Sequence, residues 1–127
     1  MFGTIRPSFL PPAHAHYLQA VTSRELGHSH IVQLFTYPVN GSARDGHVHD
    51  FQGHTFLDRD HFHRFYGKTG PALPLPDGSH YHDIRIEVDD EPFQFQGGSY
   101  KTVLTIPRHV HTFGGATGKP LGSDSPF

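Results

Sequence analysis

The 127-residue chain contains no cysteine. That excludes disulfides, thiolate-held zinc and thiol catalysis, and it leaves the redox compartment open. A helical window is also missing: Ala, Leu, Glu and Lys never cluster at a period near 3.6. No apolar run is long enough to span a membrane, so no membrane association is expected. Met1–Pro12 is broken by prolines and lacks a continuous apolar stretch, so it does not fit a signal peptide. Cytoplasmic placement is the default expectation, with extracellular or spore-associated placement left open. Charge of one sign is scarce, with ten Lys and Arg against twelve Asp and Glu. Without a basic field to hold a phosphate backbone, nucleic acid is not an expected partner. Leu, Ile and Val are sparse and the apolar fraction is only 35%, so eleven Phe and five Tyr must carry much of the core.

What is present points to strands, turns and repetition. Aromatics favour strands, and 14 Gly and 11 Pro favour turns. Twelve of the thirteen histidines fall into six His-x-His pairs: His14/His16, His28/His30, His47/His49, His61/His63, His80/His82 and His109/His111. Random placement of thirteen histidines would give far fewer. His14 and His47 are 33 residues apart, as are His28 and His61, and His80 follows His47 at the same interval. A fixed period is the mark of a repeat architecture. The segments His14–His30 and His47–His63 align without gaps. In the third unit Phe93-Gln94-Phe95 stands where a pair is due, and His109/His111 follows as that unit's second pair, delayed by a short insertion. Thr112–Pro120 echoes Arg64–Ala72 and supports this alignment.

The expected fold is all-β: antiparallel hairpin repeats, about three 33-residue units, forming a small sandwich, barrel or solenoid-like sheet. An extended arm at 1–12, a repeat domain at 13–120 and a flexible tail at 121–127 are expected. About eleven residues separate the two pairs of a unit, which suits a hairpin with its loop near Thr22–Gly27 or Thr55–Asp60. The prolines of the 69–78 connector suit an edge or a loop. Phe51, Phe65, Phe95 and Phe113, each shortly after a pair or its replacement, are the candidate core. Val48 and Phe62 should face away from the histidines beside them.

On a strand, residues i and i+2 project from one face roughly 6.5–7 Å apart, so two imidazoles at that spacing can converge on one ion. All twelve paired histidines are therefore candidate metal ligands. The hairpin reading pairs His14 with His30 and His16 with His28, and likewise His47 with His63 and His49 with His61. It gives three sets of four imidazoles, the third being His80, His82, His109 and His111. Such a donor set suits a divalent transition metal, zinc first, then copper or nickel, with iron(II) also compatible. Asp50, Asp58, Asp60 and Asp83 are placed to orient ring nitrogens. The lone His54 is expected at the surface.

Two other functions compete. One is a self-assembling protein, a homo-oligomer or filament, using the N-terminal arm and open sheet edges. The other is a small metalloenzyme: His80-Tyr81-His82 with Glu87 resembles part of the first cupin motif, although the flanking glycines and the second motif are missing. There is no Ser/His/Asp set or phosphate loop, so an enzyme is the less favoured class.

The repeated Gly-His-x-His (Gly27–His30, Gly46–His49), the block His61–Ala72 with its Thr69-Gly70-Pro71-Ala72 connector, and Asp77–His82 together resemble the YmaF family of small bacterial proteins. The resemblance covers roughly residues 13–120 and departs at Phe93–Phe95. It implies the repeat and the histidine positions, but no reaction.

Overall fold

A computed structural model describes residues 13–58, 60–96 and 98–121. The expected arm and all but the first residue of the expected tail lie outside the described residues. Among the described residues there is no helix. The strands are β1 (Ala13–His14), β2 (Tyr17–Val21), β3 (Ile31–Phe35), β4 (Val39–Asn40), β5 (Asp50–His54), β6 (Arg64–Lys68), β7 (Leu73–Pro74), β8 (His80–Tyr81), β9 (Asp83–Glu87), β10 (Phe93–Gln96), β11 (Ser99–Thr102) and β12 (Thr112–Ala116). The all-β hairpin expectation holds. Three five-residue antiparallel pairs, β2–β3, β5–β6 and β9–β12, form the body of the protein.

The local sequence explains these hairpins. Each of their six strands continues a His-x-His pair in period two: a large apolar residue, a smaller or aliphatic residue, then threonine. His14-x-His16-x-Leu18-x-Ala20-x-Thr22 is the first instance, and His47-x-His49-x-Phe51-x-Gly53-x-Thr55 its counterpart one repeat later. Only Val88, ending the β9 series, replaces the threonine. Alternation puts this series on the inner face. The first two hairpins turn within the expected loops. Glu25 and His28 exchange backbone hydrogen bonds across Leu26 (φ 51°) and Gly27 (φ 80°). Two successive positive φ values are the twist a two-residue hairpin turn needs, and Gly27 supplies one of them without strain.

The threonines finish the ladders with their side chains. Thr22 Oγ1 accepts the His30 N–H at 2.9 Å, and Thr36 Oγ1 accepts that of His16 at 2.9 Å. Thr55, Thr69 and Thr117 do the same for His63, His49 and His82. The backbone under every second histidine except His111 is thus fixed by a buried hydroxyl.

The three hairpins close on themselves. β3 lies against β5, β6 against β9, and β12 against β2. At one end Phe56 N–H donates to Ile31 O, Asp89 to Arg64 O and Ser23 to Thr112 O. At the other end Tyr37 donates to Asp50 O, Gly70 to Asp83 O and Gly118 to Tyr17 O. Leu121 pairs with Ala15 and joins the last connector to the first unit. The result is a ring of separate two-stranded sheets, not a continuously hydrogen-bonded barrel. Leu18, Val32 and Leu34, Phe51 and Phe65, and Ile84, Val88 and Phe113 fill the middle, so every hairpin contributes to one core.

Two aromatic expectations change. Phe95 is not core: it is 53% exposed on the inserted hairpin β10–β11. Phe62 does face away from the histidines beside it, but it is buried because that insertion covers it, with the Phe95 ring stacked on it at 4.5 Å.

Replacing Thr36 with valine keeps the volume and leaves the buried His16 N–H without its side-chain acceptor. Thr36→Val should lower unfolding stability by about 1–3 kcal/mol in denaturant titration; an unchanged midpoint would show that the hydroxyl contributes nothing.

Candidate metal centre

Each histidine pair opens its strand, and paired strands run in opposite directions. The two pairs of one hairpin therefore sit at opposite ends, His16 across from Thr36 and Thr22 across from His30. Six residues of strand hold them about 20 Å apart. The expected sets of four within a hairpin do not form, and neither do the His14–His30 and His47–His63 pairings. Instead each unit gives one pair to each end. His14, His16, His47, His49, His80 and His82 meet at one end, and His28, His30, His61, His63, His109 and His111 at the other. The third unit completes both clusters, its late second pair included.

Within each cluster the arrangement is octahedral. In the first, His14, His47 and His80 form an outer triangle of mutually adjacent rings, and His16, His49 and His82 an inner one beside the core. Every ring stands edge-on to four of the other five, with centroids 4.4–5.2 Å apart. The pairs left over, His14/His82, His16/His47 and His49/His80, are the opposite corners. The second cluster repeats this, with His28/His63, His30/His109 and His61/His111 opposite.

The distances fit an ion. Three adjacent Nε2 pairs of the first cluster, His14/His47, His14/His80 and His16/His80, are 3.0–3.2 Å apart, and five pairs of the second are 3.1–3.2 Å apart. An octahedron with such edges has its centre about 2.1–2.3 Å from each corner, close to an imidazole–metal bond length. All six donor atoms of each cluster lie within 4.8 Å of one another, as opposite corners require.

Hydrogen bonds on the far side of the rings orient the lone pairs. Nδ1–H of His16 donates to Gly118 O, of His49 to Tyr37 O and of His82 to Gly70 O, at 2.8–2.9 Å. In the second cluster the acceptors are Phe56 O for His30, Asp89 O for His63 and Ser23 O for His111, at 2.8–3.0 Å. A carbonyl only accepts, so Nδ1 carries the proton and Nε2 presents its lone pair inward. His49 Nε2 and His82 Nε2 are buried and have no hydrogen-bond partner.

The expected aspartates do not orient the rings. Asp50 pairs with Lys68 at the surface. Asp58 and Asp83 bond their neighbours through the main chain, and Asp60 forms part of a turn. A carboxylate that does bond a cluster ring is Asp45, whose Oδ1 accepts from His47 Nδ1 at 2.6 Å. It escaped the sequence reading, although its place two residues before His47 is a local turn signal. Gly41 is needed beside it, because a Cβ there would collide with the His47 ring. Glu87 is exposed at the far end of β9 and belongs to neither cluster, so the cupin-like His/His/Glu set is not assembled. His54 is exposed, as expected.

Burial holds the inner imidazoles neutral. It lowers His16 and His63 to about 3 and His30 and His49 to about 4, against the carbonyl bonds that favour the charged form, and neighbouring histidines push the same way as burial. His80 is lowered to about 4 by burial and its neighbours; His82 and His111 are also lowered. These groups take up protons at higher pH in the unfolded chain than in the folded one. Folding stability is therefore full above the ordinary value of 6.5 and is lost as pH falls below it. Chelator-treated protein should lose melting temperature steadily between about pH 6.5 and 4 and change little above pH 7.5. A flat profile through the acid window would contradict neutral buried clusters.

Comparison with known proteins adds a family. The family model described as "YmaF: Spore germination protein GerY/YamF" matches residues 38–96. The chain is similar to "Uncharacterized protein YmaF" of Bacillus subtilis (strain 168), at 41% identity over 122 residues, covering 89% of this chain and 87% of that protein. No solved structure matches. The histidine spacing, the Thr-Gly-Pro-Ala connector and this near full-length relative agree: the chain belongs to the YmaF family.

Proposed function

We propose that the protein binds two divalent transition-metal ions, one in each six-histidine cluster, and that these ions staple its three hairpins together. The observation that carries this reading is the octahedron of six Nε2 lone pairs, with the proton of every inner ring held on Nδ1 by a carbonyl. Three units meet at each centre, so the free energy of binding is folding free energy. Six protein donors fill the octahedron and leave no position for substrate or water, which favours holding an ion over catalysis. A set of six nitrogens suits nickel(II) or iron(II) best. Zinc comes next, since closed zinc sites favour four ligands, and copper(II) favours tetragonal geometry. The family description favours spore association over the cytoplasmic default.

Protein made without an affinity tag should contain two ions per chain by elemental analysis. His16→Ala/His49→Ala should retain one ion, and so should His30→Ala/His63→Ala. A strong chelator should lower the melting temperature, because a ligand bound only by the native state stabilises it. Metal-free protein of unchanged stability would refute the reading.

Self-association is a second reading, favoured by the outward face of the first hairpin. Val21, Ile31 and Phe35 are 63%, 46% and 61% exposed there. The corresponding residues of the second hairpin are His54, Arg64 and Lys68. An uncharged apolar face can meet its copy without repulsion. Wild-type protein should sediment as a dimer or larger species, and Val21→Lys/Phe35→Lys as a monomer; a monomeric wild type at high concentration removes this reading.

A further inference from the structure

The third unit departs from the others by its insertion: His109 follows His61 at a longer interval than the repeat requires. The extra residues raise the β10–β11 hairpin over one side of the ring, where it walls a cleft. The cleft encloses about 650 Å³ between β5, β6, the end of β9 and the inserted hairpin. That volume lies in the range of small-molecule sites. Its walls are aromatic: Phe62, Phe95, Tyr66 and Tyr100. The stacked Phe62 and Phe95 rings, 22° from parallel, show the geometry available to a flat ring there. Phe95 and Tyr66 remain 53% and 67% exposed.

The polar groups of the cleft are mostly acceptors. Arg64 is already engaged, with Asp89 at 2.8 Å and its guanidinium 4.3 Å from the centre of the Phe93 ring. Asp89 is neutralised by that pair. Glu87, exposed at the rim, has no cationic side chain within ion-pair distance among the described residues. His54 donates Nδ1–H to the Thr55 carbonyl at 3.0 Å, which leaves Nε2 as an acceptor. Aromatic faces attract cations, and a carboxylate and an imidazole lone pair accept from ammonium N–H groups.

We infer that this cleft is a binding site for a small molecule carrying one flat aromatic ring and one positively charged amine. The ring stacks against Phe95 and Tyr66, and the ammonium faces Glu87 and His54. The site is separate from both histidine clusters and does not depend on whether they hold metal.

Titration of 15N-labelled full-length protein with three probes tests this: benzylamine, phenylacetate with the same ring and opposite charge, and cyclohexylmethylamine with the same charge and no aromatic ring. Benzylamine should give saturable shifts of the cleft residues in the millimolar range or tighter, and the other two probes should bind at least about tenfold more weakly. Glu87→Gln should weaken benzylamine binding about fivefold or more without moving signals from the core, since Glu87 is exposed. Phe95→Ala provides a second variant with the same expected loss. Absence of benzylamine binding up to about 10 mM, equal binding of phenylacetate, or shifts that avoid the cleft would each overturn the inference.

Discussion

Twelve imidazole nitrogens aimed at two points are the constraint on which the rest of this protein depends. In each cluster six donor atoms lie within 4.8 Å of one another, and the inner ones carry lone pairs, not protons, on the facing side. Lone pairs at that separation repel, and full burial denies them water. A cation at the centre would convert the repulsion into six bonds. The core and the clusters are then parts of one inner column, His-x-His followed by two apolar or small residues on all six strands and closed by threonine on five of them. The hydrophobic middle holds the hairpins against one another, while the two ends fix their angle about a common axis.

The composition of the chain follows from this. A core of five aliphatic side chains and three phenylalanines, with no tyrosine among them, buries limited apolar surface, and a domain of this size has little stability to spare. The histidines occupy inward positions where a larger core would continue. Their neutrality at ordinary pH depends on burial, while six main-chain carbonyls fix the ring proton on Nδ1. Those carbonyls follow the same repeat: Ser23, Phe56 and Asp89 occupy equivalent places in the three successive units.

The all-β class, the 33-residue period, the insertion in the third unit and the identity of the twelve histidines were legible in the sequence, because side-chain identity carries them. The grouping was not. Eleven residues between His16 and His28 fit a hairpin whether the pairs face one another or stand at its two ends. The deciding signal was the order along each strand: the pair precedes the apolar residues on both strands, and antiparallel pairing then separates the pairs. The carbonyl acceptors were invisible, since any residue supplies one. Phe95 was misplaced because its position after Phe93 mimics the core position after a pair, although it lies on inserted chain.

The central claim is that each cluster is one six-coordinate centre. X-ray absorption at the metal edge of protein loaded with two equivalents of nickel(II) tests it most directly. A single shell of six imidazole nitrogens at about 2.1–2.2 Å is expected, with the outer-ring scattering of coordinated histidine. A four-coordinate shell, or a shell with several water oxygens, would contradict it.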